Sequence, residues 1–389
     1  MYPTLTDLLK DLLGINLPLP IQMFGFMVAM AFVIGHYVIS SELRRKSQLG
    51  IMKPITKTIT EGLPASRNEL LLNGLFGFIL GFKILYIVFN YAEFTIDPPG
   101  VVLSAKGNFF GGVLIAAAFA YYTYKEKEKT KLAKPITKQI QVYPHDLMGN
   151  IIMIAAVAGL IGAKVFHNLE NWDSFVANPV ESLLSFSGLT FYGGLIVGLA
   201  AVYYYAKSNN IKFIHLIDAG APGLMLAYGI GRLGCQLSGD GDWGIVNLAP
   251  KPEWLSFLPD WAWAYKYPHN VLSEGVPIAG CVGRHCMELP QAVFPTPLYE
   301  TVMALLIFAF LWSIRKKIVQ PGLMFSLYLV LNGLERFFIE KIRVNTLYDV
   351  SGFKFTQAEL ISSLLVIFGI IGIVWSIKSY NKNGQSANE

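Results

Sequence analysis

Charged side chains are scarce in this chain of 389 residues, of which only 15% are Asp, Glu, Lys or Arg. Soluble globular domains usually carry about 25% charged residues. Hydrophobic residues make up 53% of the chain and come in long runs, as at 70–89, 151–166 and 360–375. A helix that crosses a bilayer needs roughly 20 mainly apolar residues. The composition therefore argues against a series of soluble domains and predicts an all-α, polytopic transmembrane helical bundle.

The N-terminal segment lacks a basic stretch followed by a small-residue cleavage site, and it lacks a lipidation motif near Met1. We therefore expect neither a cleaved signal peptide nor a lipid anchor there. Cysteine is also rare, with three residues in the chain. Cys281, His285 and Cys286 offer fewer ligands than the four of a closed zinc site. We favour a disulfide between the two cysteines over a metal, and we expect no cofactor.

The apolar runs predict about nine spans, with ends uncertain by several residues. They are 21–41, 69–90, 107–124, 147–167, 189–206, 214–236, 295–314, 322–340 and 357–377. The segments between them alternate in charge: one side holds 19 Lys and Arg residues and the other side holds 8. The positive-inside rule places the first side in the cytoplasm and hence the N-terminus outside. The net charge of +5 is then an orientation signal and not a nucleic-acid footprint.

The predicted organisation is one membrane domain, 1–377, followed by a cytoplasmic tail, 378–389. The longest outer segment, 237–294, is rich in Trp and Pro and predicts a small extracytoplasmic cap. The pentapeptide Lys-Pro-Ile-Thr-Lys occurs at 53–57 and again at 134–138, and similar residues follow at nearly the same offset. This pattern predicts an internal parallel repeat of a two-span unit, with 53–124 and 134–206 as its copies. Chance similarity of apolar segments is the alternative.

Four basic residues fall inside the predicted spans, namely Lys83, Lys164, Arg232 and Arg336. A charge within a span is costly and usually faces a cavity or a partner. The lysines could instead extend to the interface. Arg336 lies four residues before Glu340, so these two side chains share a helix face and can pair. The arginines therefore predict either a salt bridge between helices or a clamp for a lipid phosphate, since guanidinium binds phosphate in bidentate fashion.

Several other residues lie at the same predicted depth near the outer leaflet. Gly193 and Gly194 let backbones or a ligand approach closely, although glycine pairs are also common in helix packing. Tyr192 precedes them and is either an interface anchor or a polar group of the site. His167 is the span histidine at the appropriate depth. Cys235, which follows the Arg232 block, is interpreted as a small packing residue.

Four blocks resemble the prolipoprotein diacylglyceryl transferase family in order and spacing, over about residues 147–377. They are 189–196 (LTFYGGLI), 231–234 (GRLG) with an acidic stretch ending in Trp243-Gly244, 295–300 (PTPLYE) and 335–343 (ERFFIEKIR). The resemblance implies transfer of a diacylglyceryl group from phosphatidylglycerol to the lipobox cysteine in the signal peptide of a prolipoprotein. It also implies a bacterial cytoplasmic (inner) membrane enzyme whose site faces the outer leaflet. The repeated two-span unit is extra to the family pattern.

The resemblance implies roles for particular residues. Arg232 and Arg336 would stabilise the phosphate that leaves, Glu340 would orient Arg336, and Asp240 would orient Arg232. Lys164 stands where the family has an arginine. Arg343, His167, Gly193 and Gly194 complete the expected substrate-binding set.

The chain departs from the family motifs at four places. The chain has Tyr192 where the family has histidine, Cys235 where it has asparagine, Asp240 or Asp242 where it has glutamate, and Phe294 where it has another histidine. A tyrosine of pKa about 10 is a weak general base, so Tyr192 or His167 could take that role. A paralogous transferase with another acceptor, or a non-catalytic protein that binds anionic lipid, are the alternative functions.

Overall fold

The computed structural model describes residues 1–15, 20–96, 98–184, 190–345, 348–350 and 352–385. Leu189 of the first family-like block and residues 386–389 of the predicted tail lie outside this part of the chain. The protein divides into two compact units. The first comprises Met1–Met52 and Ile211–Glu389, and the second comprises Lys53–Asn210. The second unit thus coincides with the predicted repeat.

The described residues are mostly helical. In chain order the helices are α1 Leu5–Leu13, α2 Met23–Gln48, α3 Arg67–Phe89, α4 Tyr91–Ile96, α5 Pro98–Leu103, α6 Phe109–Thr130, α7 Met148–Glu170, α8 Trp172–Ala177, α9 Pro179–Leu184, α10 Phe191–Ser208, α11 Phe213–Ser238, α12 Thr296–Ile314, α13 Leu323–Glu340 and α14 Gln357–Gln385. The strands are β1 Ile55–Glu61, β2 Ile136–Val142, β3 Val276–Pro277, β4 Met287–Glu288, β5 Tyr348–Val350 and β6 Phe353–Phe355. Short 3₁₀ turns occupy Pro144–Leu147, Glu253–Leu255 and Asp260–Ala262.

Six helices in the described chain are long and apolar enough to cross a membrane: α2, α3, α7 with its preceding 3₁₀ turn, α11, α12 and α14. The other three predicted spans coincide with α6, α10 and α13. Helix α13 has 18 residues and carries Glu335, Arg336 and Glu340, which lowers its mean hydropathy. Large apolar side chains are widely exposed on the helices, including Phe110 at 83% and Phe89 at 71%. Such extensive apolar exposure is typical of lipid-facing surfaces and not of soluble monomers.

In the first unit, α11 packs against α2, α12 and α13, and α14 packs against α13. Helix α11 contributes the most buried residues of any helix, because its Gly- and Ala-rich centre allows neighbouring backbones to approach. At Gly223, for example, an added Cβ would lie 2.4 Å from a carbon of Ile39 on α2. The buried helix α11 therefore fixes the positions of its three neighbours, two of which carry candidate site residues.

The second unit places the two Lys-Pro-Ile-Thr-Lys copies side by side. Strands β1 and β2 begin within these copies and form an antiparallel two-stranded sheet. In this register Lys57 is opposite Ile140 and Ile59 is opposite Lys138. Corresponding residues of the copies lie 81 positions apart, and the strands share Ile, Thr, Lys and Ile at four of their seven positions.

The helices of the second unit repeat the same packing. Helix α3 packs on α6 and α7 packs on α10, and both pairs approach closely at glycine. A Cβ at Gly81 would lie 2.3 Å from the Gly111 carbonyl oxygen, and one at Gly162 would lie 2.5 Å from that of Gly193. Real Cβ contacts are not that short, so these positions require glycine. The contacts repeat at an offset of 81 or 82 residues.

The predicted cap, 237–294, is folded around aromatic side chains. Tyr267 is fully buried and donates its hydroxyl proton to Gln236 Oε1 at 2.8 Å. The rings of Trp243 and Tyr265 pack beside it, with centroids 5.2 Å and 4.9 Å away. Cys281 and Cys286 form the predicted disulfide. Both thiols are used in this bond, which removes the alternative of a metal site there.

Candidate active site

Glu300 lies at the centre of a cluster of buried charges in the first unit. Helix α12 begins at Thr296, has a proline in its first turn, and therefore carries Glu300 in its second turn. The Glu300 side chain is fully buried. Its carboxylate lies 3.0 Å from Arg336 Nη1, 3.3 Å from Arg232 Nε and 3.3 Å from Arg343 Nη1. Three guanidinium groups, one from α11, one from α13 and one from just after α13, thus share one carboxylate.

Asp242 is the second carboxylate of the cluster. Its Oδ1 accepts a hydrogen bond from Arg343 Nη2 at 2.6 Å, and its Oδ2 accepts one from Arg232 Nη1. The Thr296 hydroxyl donates to the Asp242 carbonyl oxygen at 2.8 Å. Asp242 therefore bridges two of the three arginines, and its backbone is held by the first residue of α12.

The position of Asp242 depends on the residues that follow it. The Gly244 N–H donates to the Phe294 carbonyl oxygen at 2.8 Å, and the Ile245 N–H donates to the Ile342 carbonyl oxygen at 2.9 Å. A Cβ at Gly244 would lie 2.4 Å from that same carbonyl oxygen. Only glycine fits this close approach. The Trp243-Gly244 pair of the family-like block therefore docks the acidic segment beside Arg343.

Glu340 pairs with Arg336 as its spacing predicts. The Arg336 Nη2 atom lies 2.9 Å from Glu340 Oε2, one helical turn along α13. Asn345 donates its side-chain N–H to Glu340 Oε1 at 2.5 Å. The Glu340 residue is 3% exposed. Arg336 is consequently held between two carboxylates, Glu300 and Glu340.

The cluster as a whole joins three arginines to three carboxylates. Each guanidinium carries five N–H donors in a fixed planar fork. Arg232 contacts the carboxylates through Nε and Nη1, and Arg336 contacts them through its two Nη atoms. The carboxylates thereby fix the orientation of each fork, while the fork keeps N–H groups that can donate to phosphate oxygens. Such pre-positioned donors stabilise charge that develops on an oxygen during a reaction.

Asp240 and Asp242 occupy different electrostatic environments although they are two residues apart. Burial and the neighbouring Asp242 raise the pKa of Asp240 above its usual value. Burial would also raise the pKa of Asp242, but Arg232 and Arg343 outweigh it and hold that pKa below its usual value. Asp240 Oδ1 is buried without a hydrogen-bond partner in the described chain. Asp242 is therefore the aspartate that contacts Arg232, and Asp240 lies beside this pair.

One group in the described chain has the composition of a metal site. Ligand atoms of Cys235, Asp240 and Asp242 lie within 4.8 Å of one another. Both carboxylate oxygens of Asp242 accept hydrogen bonds from arginine. Guanidinium groups at that position repel a cation. The arrangement thus suits an anion bound by arginine better than a metal ion.

The remaining predicted site residues belong to the second unit. Tyr192 lies in the first turn of α10. Gly193 and Gly194 follow it and pack against the backbone of Gly162 and Gly159 on α7. The predicted close approach at the Gly pair is therefore one between helices.

Lys164 and His167 lie on α7 of the second unit. The His167 Nδ1 atom lies 3.3 Å from the Asn171 amide nitrogen. Lys164 corresponds to Lys83 in the other copy. The Lys83 ammonium donates to the carbonyl oxygens of Val101, Ser104 and Lys106, so it secures the end of α5.

Two acidic residues of the first unit have no assigned role in the sequence interpretation. Glu300 belongs to the block at 295–300, but the sequence provides no spacing that links it to arginines 36 to 68 positions away. Glu335 precedes Arg336, is 5% exposed, and has both carboxylate oxygens buried without a hydrogen bond in the described chain. A glutamate inside an apolar span is the signal that could have directed attention to it.

The chain matches a protein-family model over residues 112–375, and that model describes prolipoprotein diacylglyceryl transferase. The chain belongs to this family. Among curated relatives, this family member is 32% identical over 259 residues to the phosphatidylglycerol–prolipoprotein diacylglyceryl transferase of Clostridioides difficile, covering 66% of the chain and 88% of the relative. It is 30% identical over 296 residues to the enzyme of that name from Staphylococcus aureus, covering 76% and 93%. It is 31% identical over 238 residues to that from Corynebacterium diphtheriae, covering 60% and 78%.

Proposed function

We propose that this protein transfers a diacylglyceryl group from phosphatidylglycerol to the cysteine thiol of a prolipoprotein. The cluster of Arg232, Arg336 and Arg343 around Glu300 is the observation that carries the proposal. A buried set of oriented guanidinium groups suits the phosphate of an anionic lipid. The named activity of the relatives supplies the reaction in which such a phosphate leaves.

The reaction follows from the chemistry of its two substrates. The thiol gives up its proton, and its sulfur attacks the carbon of the diacylglyceryl group that is bonded to the phosphate oxygen. The carbon–oxygen bond breaks, its electron pair passes to the phosphate oxygen, and glycerol phosphate leaves. Arg232 and Arg336 donate hydrogen bonds to that oxygen or its neighbours as the charge develops. Glu340, Asp242 and Glu300 hold the guanidinium groups in position, with Asp240 beside them.

The proposed orientation places this chemistry at the outer leaflet of a bacterial cytoplasmic membrane. Nine spans, the N-terminus outside and the C-terminus inside satisfy the distribution of Lys and Arg. In this arrangement the end of α11 that carries Arg232 and the cap 237–294 face outward. A prolipoprotein presents its lipobox cysteine on that side, at the end of its signal peptide.

The remaining proposed roles rest on the family motifs alone. Tyr192 stands where the family has histidine, so it or His167 would accept the thiol proton. A thiol of pKa about 8.5 needs only modest assistance near neutral pH. Lys164, where the family has arginine, and the backbone at Gly193 and Gly194 would contribute to binding of the lipid headgroup.

The decisive experiment uses purified protein in lipid with phosphatidylglycerol and a lipobox-cysteine peptide, followed by mass spectrometry of the peptide. We expect a diacylglyceryl mass shift with cysteine and none with serine in its place. Arg232→Ala or Arg336→Ala should lower the rate at least about 100-fold, as removal of one stabilising donor does elsewhere. Arg284→Ala, at an exposed arginine of the cap, is the matched control. Full activity in either cluster variant would refute the proposed phosphate contact.

A further inference from the structure

A basic cleft lies at the end of α11 opposite the arginine cluster. Its walls are the end of α2, the start of α11 and the connection between α12 and α13. All these elements belong to the first unit. Asp218 lines the cleft, 14 residues before Arg232 on α11. At about 1.5 Å per residue the cleft lies about 21 Å from the cluster along the helix, and the proposed orientation places the two sites at opposite leaflets.

The two acidic groups of the basic cleft are already engaged by the protein. Glu42 accepts a hydrogen bond from Arg45 Nε at 2.8 Å and lies 3.3 Å from Arg315 Nε. Asp218 accepts the backbone N–H groups of Gly322 at 2.7 Å and Phe325 at 3.0 Å. These N–H groups are at the start of α13, where no carbonyl of that helix can accept them. Both carboxylates therefore have structural partners.

The basic groups outnumber those acids. Arg45, Lys46, Arg315 and Lys316 line the basic cleft together with His215. Lys46 Nζ lies 3.9 Å from Asp218 Oδ2, and its side chain is 12% exposed. An ammonium group has three N–H donors, and this long contact satisfies at most one of them. Lys316 is exposed at the mouth of the cleft. The cleft therefore presents positive charge that its own acids do not neutralise.

Arg315 is held in place within the basic cleft. Its guanidinium lies 3.5 Å from the ring centroid of Trp312, and it donates to the Trp312 carbonyl oxygen. Arg45 Nη2 in turn donates to the Arg315 carbonyl oxygen at 3.3 Å. A guanidinium that is stacked and oriented loses little further freedom when it binds an oxyanion.

Apolar side chains surround the mouth of the basic cleft. Leu49 is 61% exposed, Ile51 is 40% exposed and Val319 is 58% exposed. Basic pockets between membrane helices on the cytoplasmic side are suited to phospholipid headgroups. The exposed apolar residues match the acyl chains that accompany such a headgroup. A free phosphate ion has the same oxygens as the headgroup but no acyl chains, so these apolar residues would not strengthen its binding.

We propose that the basic cleft binds the phosphate group of an anionic phospholipid from the leaflet opposite the arginine cluster. Lys46 and Lys316 would donate to the phosphate oxygens, and Arg315 would add charge and shape. This site is separate from the transferase site and makes no use of its residues. It ties the inner ends of α2, α11 and α13 to the lipid.

The test counts bound lipid by native mass spectrometry of the purified full chain. Dioleoyl phosphatidic acid is titrated into detergent-solubilised protein, with dioleoyl phosphatidylcholine as the neutral comparison. The variants are Lys46→Gln with Lys316→Gln, the charge-retaining Lys46→Arg with Lys316→Arg, and the control Lys317→Gln with Lys378→Gln. Both control lysines are exposed, lie in the same unit and do not line the cleft.

We expect the glutamine pair in the basic cleft to weaken one phosphatidic acid site about 30-fold. This corresponds to about 2 kcal/mol, at about 1 kcal/mol for each basic residue. The arginine pair and the control should bind like the wild type. Equal binding by the glutamine pair, or an equal loss in the control, would overturn the proposal. If the glutamine pair does not fold, Lys316→Gln alone is decisive, with an expected loss of about 5-fold.

Inorganic phosphate distinguishes the two sources of the ligand. Millimolar phosphate without lipid should leave the thermal midpoint of the wild type unchanged, whereas phosphatidic acid should raise it. Stabilisation by phosphate alone, with no additional effect of the lipid, would show a phosphate-ion site and overturn the assignment to a lipid. Neither measurement depends on transferase activity.

Discussion

Asp240 and Asp242 provide a sharp test of the charge cluster, because identical substitutions should have opposite effects on stability. Asp242→Asn removes a carboxylate that contacts Arg232 and Arg343. Breaking a buried ion pair costs about 3–5 kcal/mol. The Asp242 side chain is 35% exposed, so solvent screening reduces that cost to about 2 kcal/mol. If the arginines stabilise the transition state, kcat/KM should fall as well, independently of the loss of stability.

Asp240→Asn should have the opposite effect on stability. Asp240 is ionisable and half-buried, and its Oδ1 is buried with no hydrogen-bond partner in the described chain. Replacing it by a neutral amide removes repulsion with Asp242. We expect an unchanged or higher thermal midpoint at pH 7, and a kcat/KM within about 3-fold of the wild type. The assays are thermal unfolding in detergent and the peptide-transfer rate.

The pH dependence follows from the two pKa shifts. The pKa of Asp242 is below the usual 3.8, so its contribution to stability is complete above that value and is lost as the pH falls through its native pKa. The pKa of Asp240 is raised, so its effect has the opposite sign and opposes folding as the pH rises above 3.8. The stability gain from Asp240→Asn should therefore grow as the pH rises from 4. A larger loss with Asp240→Asn than with Asp242→Asn would refute this account of the cluster.

Three further predictions concern single positions. Glu300→Gln should lower the thermal midpoint and the transfer rate, because three arginines lose their shared carboxylate. Glu335→Gln should leave the thermal midpoint equal or higher, because the Glu335 carboxylate oxygens have no hydrogen-bond partner in the described chain. A lower thermal midpoint for Glu335→Gln than for Glu300→Gln would contradict these contact assignments. Gly244→Ala should reduce kcat/KM at least about 10-fold, since its Cβ would displace the acidic segment from Arg343, and an active alanine variant would count against that docking. Tyr192→Phe should reduce kcat about 100-fold if the hydroxyl transfers the thiol proton, and a near-normal kcat would transfer that role to His167.

The parts of the cluster that were accessible from the sequence are those set by local geometry. The pairing of Arg336 with Glu340 follows from a spacing of four residues on one helix, and the structure confirms it. The disulfide of the cap follows from a different argument, because Cys281, Cys286 and His285 offer too few ligands for a closed zinc site, and the structure confirms the bond. Likewise, arginine within an apolar run is visible in any hydropathy analysis, because its cost in lipid requires a partner.

Other contacts had no signal in the sequence because they join distant segments. Glu300 contacts Arg232 and Arg343 across 68 and 43 positions, and only the packing of α11, α12 and α13 determines that these meet. The choice between Asp240 and Asp242 is of the same kind. It depends on backbone hydrogen bonds between the segment at Gly244 and the residues after α13.

The sequence by itself determined that this protein lies in a membrane, and it identified the charged residues whose placement within a span is energetically costly. Long apolar runs leave the backbone no alternative to helices in a bilayer, and the distribution of Lys and Arg favours one orientation. Repeated residues at 53–57 and 134–138 predicted a duplicated unit, but that the two copies pair as strands required the tertiary structure. Helix spacing operates over one or two turns, whereas a shared carboxylate and a basic cleft arise only when separate helices pack together.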